Sequence, residues 1–312
     1  MPGGQKRRVD RSHYGVAMAM TGERFEIAAG PYRAAACEVG AGLAGLWCRD
    51  AAVTVPHPQD AVPPSSNGAV LLPWPNRIRG GAYAFAGRTH QLPLSEPAHL
   101  NANHGLVRWS RWQPTERDGA AVTLSHDLVA QPGYPFELRF EVRYSLEAGS
   151  GLTVAARAVN TGVQSAPFGA GFHPYLDLGD VDLDHTELSL PAATVLDVDG
   201  GLIPIGRRAV AGTPYDLQRL RPLGSLRLDH GFTDLTGDRA TVVAAGRRTE
   251  LWWDGAFTVL QAFTPDPAKI GAHGIAIEPM TCPADAFNSG TGLVVLEPGQ
   301  QWLGSWGITV AD

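Results

Sequence analysis

The chain has 312 residues, 44% hydrophobic and 18% charged, a globular composition that excludes an intrinsically disordered protein. Its net charge of −6 argues against a nucleic-acid backbone partner, which would call for a basic face, so no nucleic-acid partner is expected. No stretch approaches the ~18 consecutive apolar residues of a membrane span, so no membrane partner is expected either.

In chain order, the basic and then mildly apolar start, MPGGQKRRVDRSHYGVAMAM, makes a poor secretory signal, because its apolar part runs only from Tyr14 to Met20 and is broken by Gly15. Residues 1–22 read as a flexible tail, and 23–312 as one domain. Cys37, Cys48 and Cys282 are odd in number and lack CxxC spacing, which points to reduced thiols in a cytoplasmic protein with neither disulfides nor a zinc site. Strand-like runs follow: RFEIAAG (24–30), a hairpin over 82–94 turning at Ala86-Gly87-Arg88, AVTLSHDL (121–128), FELRFEVRYSLE (136–147), LTVAARAVN (152–160) and QWLGSWGITV (301–310). In 136–147 the set Phe136, Leu138, Phe140, Val142, Tyr144 and Leu146 falls on one face, and Glu137, Arg139, Glu141 and Arg143 fall on the other. Pro63–Gly68 reads as a loop. One short helix is predicted around Pro214–Leu220, with Thr213 as its N-cap and Pro214 at its first position. The 37 glycines and 24 prolines are spread along the whole chain, as many strands joined by tight turns require. The fold class is therefore all-β, a large antiparallel sandwich.

Five segments depart from buried-apolar, exposed-charged patterning. PWPNRIRGG (73–81) holds Asn76 and Arg77 between turns, and NANHGLVRWSRW (101–112) sets His104 before a glycine. In APFGAGFHPYLDL (166–178), alternation puts His173 on a face with Gly169 and Gly171, small neighbours that predict a hollow. RLDHGFTDL (227–235) carries Asp229 beside His230, the latter read as a surface-turn residue. In GIAIEPMTCPADAFNSG (274–290), Ile275 and Ile277 share one face and Ala276 and Glu278 the other, with Pro279 expected to end the strand at Glu278. A carboxylate in so apolar a segment is costly to bury without partners.

These segments, together with LQAFTPD (260–266), resemble the aldose 1-epimerase (galactose mutarotase) family from about residue 24 to the C-terminus. The branch resembled is the bacterial one with the EPMTCPADAFN motif. The resemblance implies a mutarotase-type β-sandwich with its site on a large sheet, a free sugar as partner, and neither cofactor nor metal. It assigns Glu278 as catalytic base, His173 as the acid that protonates the ring oxygen, and His104 as a second active-site histidine. Arg77, Asp229 and Gln261 would hold sugar hydroxyls, with Asn76 beside them. Pro174-Tyr175 departs from the galactose-type members, so no sugar preference carries over.

The chemistry suits those residue types. A base takes the anomeric proton while an acid protonates the ring oxygen, and glutamate at ~4.3 and histidine at ~6.5 divide these tasks. The two are expected in one cleft, about a sugar ring apart. Trp109 or Trp253 could wall the sugar, although core packing is the simpler reading for both. Three alternatives stand beside a simple aldose epimerase. An epimerase of a 6-phospho or 6-sulfo hexose would use Arg77, Arg79, Arg108 and Arg111 to receive the anion. A glycosidase would use Asp229 and Glu278. A non-catalytic sugar-binding or sensor protein would leave Glu278 and His173 without a reaction. The sequence does not distinguish a monomer from a homodimer.

Overall fold

The alternation in 136–147 becomes the strand Leu138–Glu147, with Leu138, Phe140, Val142, Tyr144 and Leu146 all buried and Phe136 buried just before it. Its outer face carries ion pairs across neighbouring strands: Arg139 with Asp127, Arg143 with Glu116, and Glu141 with Arg157. Each such exposed pair contributes only ~0–1 kcal/mol, so burial of the inner face is what holds the strand.

A computed structural model describes residues 20–311 as 27 strands with two four-residue α-helices, Pro267–Ile270 and Ala286–Ser289. Every strand pairing within the two large sheets is antiparallel. In the nine-stranded sheet the C-terminal strand Gln301–Ala311 lies between Gly151–Asn160 and Arg247–Trp253. The eight-stranded sheet has Asp229–Leu235, Val259–Phe263 and Gly274–Met280 side by side at its centre. One hydrophobic cluster joins the two, bringing Leu260, Ile275 and Ile277 of the second sheet together with Val154, Leu251 and Trp306 of the first. Phe172 fills the space between them, its ring 5.3 Å from Trp306 and 6.0 Å from Phe257. The predicted hairpin forms as Ala82–Phe85 and Arg88–Gln91, joined by Ala86 and Gly87, both at positive φ (49° and 75°).

Four expectations change. No helix forms over 214–220; instead Thr213 Oγ1 donates to the Val210 carbonyl and accepts from the Tyr215 amide, a local turn that competes with helix formation. The last strand of the site does not stop at Glu278 but runs through Pro279 to Met280, with Pro279 opposite Leu260. The face carrying Gly169 and Gly171 is not hollow, because Pro75 packs down onto both. Finally, the end of the expected tail is tied down: Thr21 is buried and bonded to the Gln59 carbonyl through both its amide and its hydroxyl. The rest of that tail, residues 1–19, lies outside the described residues, and so does the apolar run ending at Met20 except for its last residue. Among the described residues, no helix is long and apolar enough to cross a membrane.

The Pro75 contact matters because it seats the next two residues, Asn76 and Arg77, above the sheet. A Cβ on Gly171 would lie 2.7 Å from Pro75 Cβ and 3.2 Å from Met280 Cγ, and the proline ring cannot swing aside. Gly171→Ala is therefore expected to destabilise the fold by about 1–3 kcal/mol. Urea denaturation checks this, and an unchanged midpoint would mean that Pro75 does not pack on Gly171 in solution.

Candidate active site

The register of the second sheet assembles the site. Gly231 pairs with Gln261, and Gln261 with Glu278, so the three lie in a row across adjacent strands. A second row on the same face runs Asp229, Phe263, Ala276, Tyr175. On the far side of Gly274–Met280, the pairs Gly171↔Met280 and Tyr175↔Ala276 keep one register, which carries His173 to the position across from Glu278. Regular ladder pairing lapses between those two pairs, where Pro174 and Pro279 each lack an N–H. The main chain of His173 bonds outward instead: its amide donates to the Ala69 carbonyl, and its carbonyl accepts from the Gly68 amide.

The result is close contact between two buried groups. His173 Nε2 lies 3.3 Å from Glu278 Oε1, with side chains only 6% and 3% exposed. They touch rather than stand a sugar ring apart. Tyr175 stacks on His173 at 5.0 Å and 24°, and its hydroxyl donates to the Ser65 carbonyl. His104 meets His173 edge to face at 5.5 Å. Glu278 Oε2 is buried and has no hydrogen-bond partner among the described residues.

The other wall comes from the pair of short strands Arg77–Arg79 and Asn101–Asn103, in which Arg77 faces Asn103. One residue beyond that pair, Asn76 and His104 both adopt left-handed backbone, with φ of 54° and 61°. The His104 amide donates to the Asn76 carbonyl at 2.9 Å, and the Asn76 amide donates to His104 Nδ1 at 3.2 Å. With Nδ1 accepting, a neutral His104 carries its proton on Nε2. Asn76 Oδ1 accepts from both the Arg77 amide and Arg77 Nη1. Across the cleft, Gln261 Nε2 donates to Asp229 Oδ1 at 2.7 Å.

Burial sets the electrostatics. It pushes the Glu278 carboxyl well above its usual 4.5, aided by the negative charge of Asp229 and opposed by Arg77. It pulls the His173 imidazole down to about 3, with the Arg108 and Arg77 charges adding to the pull. His104 is lowered well below 6.5 by burial, Arg108, His173 and Arg77. Both members of the His173–Glu278 pair are thus driven toward neutrality, and a pair of that kind holds one proton between its two heteroatoms.

All seven residues singled out from sequence, Asn76, Arg77, His104, His173, Asp229, Gln261 and Glu278, line one cleft with about 220 Å³ of free space. Among the described residues, no cluster of His, Cys, Asp and Glu could hold a metal ion. Residues 23–309 match the family model described as aldose 1-epimerase. The chain belongs to the aldose 1-epimerase family. It is 35% identical to the uncharacterized protein YihR of Escherichia coli over 291 residues, 91% of this chain and 92% of that one. Human galactose mutarotase is 32% identical over 164 residues, covering 50% of this chain and 46% of its own. The fold matches a putative aldose 1-epimerase of Escherichia coli (TM-score 0.81, 20% identity, 93% and 99% coverage). It also matches galactose 1-epimerase of Lactobacillus acidophilus (TM-score 0.76, 21% identity, 90% and 92% coverage). The protein is thus an isomerase acting on carbohydrates.

This aldose 1-epimerase family member has cleft residues that the sequence did not single out: Glu96, Ser65, Ser66, Asn103, Tyr175 and Phe263. Ser65 and Ser66 belong to the expected loop at 63–68, which contains a 3₁₀ turn over Pro64–Ser66. Tyr175 and Phe263 are the aromatic residues of the cleft. Trp253 is buried in the core, and Trp109 is exposed beside an adjoining pocket. His230 lies outside the cleft, half-buried and bonded through Nε2 to the Tyr215 hydroxyl. Asn76 carries much of the local order, since its Oδ1 is the acceptor for two Arg77 donors and its backbone is left-handed. Asn76→Ala should cost about 1–3 kcal/mol in chemical denaturation, from the unpaired donors and the left-handed penalty for alanine. Asn76→Asp keeps the acceptor and should recover most of that loss; equal losses in both variants would overturn the assignment.

Proposed function

We propose that the protein interconverts the α and β anomers of a free aldose, with Glu278 as base and His173 as acid. The observation that carries this reading is the 3.3 Å contact between His173 Nε2 and Glu278 Oε1 on the cleft floor, with Glu278 Oε2 unpartnered among the described residues. The hydroxyl oxygen and the ring oxygen are both bonded to C1, so an acid and base that serve them work side by side. Groups a sugar ring apart would reach different carbons.

In the forward step, ionised Glu278 takes the proton of the anomeric hydroxyl and protonated His173 gives one to the ring oxygen. The bond between C1 and the ring oxygen breaks, leaving an aldehyde at C1 and a free hydroxyl on the chain. Rotation about C1–C2 turns the other carbonyl face to that hydroxyl. Ring closure then reverses both transfers, so no net proton is gained or lost. The open-chain stage leaves Glu278 protonated and His173 neutral, which are the forms that burial favours. Burial of the pair thus stabilises it as the ring opens. His104, Arg77, Asp229 and Gln261 supply donors and acceptors for the remaining hydroxyls, and Tyr175 and Phe263 offer apolar surface to a C–H face.

A second reading, an epimerase of a 6-phospho or 6-sulfo hexose, draws support from one arginine. Arg77 is held by Glu96, Arg79 by Asp199 and Arg111 by Glu38, whereas Arg108 has no carboxylate partner among the described residues and donates to the Ser66 hydroxyl and the Asn103 carbonyl. Rates on glucose, its 6-phosphate and its 6-sulfonate separate the two readings.

Anomer exchange followed by NMR or polarimetry tests the central assignment. Glu278→Gln should lower kcat by about 10²–10⁴-fold while the protein stays folded. A full rate in that variant removes Glu278 from the role of base, and sugar binding without exchange by the wild type would make the protein a binding module. The pH profile is a separate check. The pair works with one proton: it gains a second only as pH falls through about 3, and loses its only one as pH rises through the raised Glu278 value. The acid limb of kcat is therefore expected well below the ordinary histidine value of ~6.5. A limb near 6.5 would overturn the shared-proton arrangement.

A further inference from the structure

We propose that Glu96 is a positioning residue for Arg77, one that fixes the guanidinium toward the sugar and partly offsets its charge beside the Glu278–His173 pair. The inference rests on the mutarotase reading above and adds a residue that neither the sequence motifs nor the family comparison assigns. Arg77 Nε donates to Glu96 Oε2 and Arg77 Nη2 to Glu96 Oε1, each at 2.8 Å, a two-point grip that leaves the planar group no free rotation. Arg77 Nη1 meets Asn76 Oδ1 at 3.2 Å. Of five N–H donors, three are thereby committed to the protein, and the remaining two are left for a ligand in the cleft that Arg77 lines.

Glu96 is itself held from several sides. Its amide donates to the Asn101 carbonyl at 3.0 Å, Asn101 Nδ2 lies 3.4 Å from Oε2, and His99 Nδ1 lies 3.2 Å from Oε1. Asn101 Nδ2 also donates to the Gly201 carbonyl, which fastens this wall to the turn after Ala192–Val198 in the large sheet. Burial would raise the Glu96 carboxyl, but the Arg77 hydrogen bonds and charge, with His99 and Asn101, outweigh it and keep the group lowered. Glu96 is therefore the ionised partner that a half-buried arginine requires.

The charged or titratable groups around the His173–Glu278 pair are Asp229, Arg77, Arg108, His104 and Tyr175, with Glu96 and His99 behind Arg77. Arg77 lowers both Glu278 and His173. Without the Glu96 charge that pull is uncompensated, so the Glu278 proton is lost at lower pH. Glu96→Gln should accordingly raise KM about tenfold or more, through a guanidinium no longer held, and move the basic limb of kcat to lower pH. Glu96→Asp keeps the charge but shortens the reach, so KM should rise while the basic limb stays in place. If Glu96→Gln does not fold, the Asp variant decides alone. In the double variant with Arg77→Gln, loss of Glu96 should add nothing to the KM of Arg77→Gln.

A merely structural carboxylate would lower the melting temperature and leave KM and the pH profile of the folded fraction untouched; that result overturns the proposal, as do fully multiplicative losses in the double variant. The probes are D-glucose, D-galactose and glucose 6-phosphate, with affinity measured by calorimetry beside the exchange rate. A wild type that binds one of them without exchanging its anomers sinks the mutarotase reading alone, and Kd then replaces KM as the test of Glu96. An active wild type with an indistinguishable Glu96→Gln variant sinks the Glu96 assignment alone.

Discussion

The cleft centres on one contact, the 3.3 Å approach of the buried His173 and Glu278 side chains on its floor. A carboxylate buried to this degree carries a penalty of several kcal/mol if it is charged and unpaired. Sharing a single proton with an imidazole removes most of that penalty, and it places on neighbouring atoms the acid and base that the proposed ring opening would use. On the proposed reading, stability and chemistry therefore draw on the same proton. The two prolines flanking the contact, Pro174 and Pro279, interrupt regular pairing at the level where these side chains meet.

The sandwich keeps this contact in place through register. Ile275 and Ile277 are anchored in the core shared by the two sheets, so alternation sends Ala276 and Glu278 to the opposite face. A slip of one residue would bury the carboxylate in that core and expose the isoleucines, which is why such a register is strongly specified. The same reasoning holds for Gln261 between Leu260 and Ala262 on the adjacent strand. The core does no chemistry, yet it fixes which side chains line the cleft. The second wall, carrying Asn76, Arg77 and His104, is held differently, by reciprocal bonds between two left-handed residues and by Pro75 resting on the glycine face.

Legibility followed the range of the interactions concerned. Alternation along 136–147 and the turn at Ala86-Gly87 are written locally, and they appear where the sequence put them. The row containing Glu278 was half legible: alternation indicated its face, but only pairing between strands shows that His173 stands opposite. The helix expected at 214–220 failed although Thr213 Oγ1 accepts from the Tyr215 amide as an N-cap would, because the same hydroxyl donates back to the Val210 carbonyl and closes a local turn. The hollow expected beside Gly169 and Gly171 failed because small residues admit a close neighbour as readily as they leave a gap, and Pro75 is that neighbour. Glu96 carries no local signal, since its partner lies 19 residues back and across the pairing of two short strands. Tyr175 and Phe263 resemble core aromatics in any one-dimensional pattern. Only their places in the second row reveal that they face the cleft.

Two glutamates in this cleft show why residue type alone could not have settled the chemistry. Both are partly or wholly withdrawn from water, and burial pushes both upward. At Glu96 the upward push loses, because a guanidinium grips both oxygens at 2.8 Å. At Glu278 it wins, because the negative charge of Asp229 reinforces it and outweighs the opposing charge of Arg77, which is itself paired with Glu96. The arginine thus sorts the carboxylates into one that stays ionised and holds position and one that can carry a proton. A lone glutamate in the same pocket would have to be both.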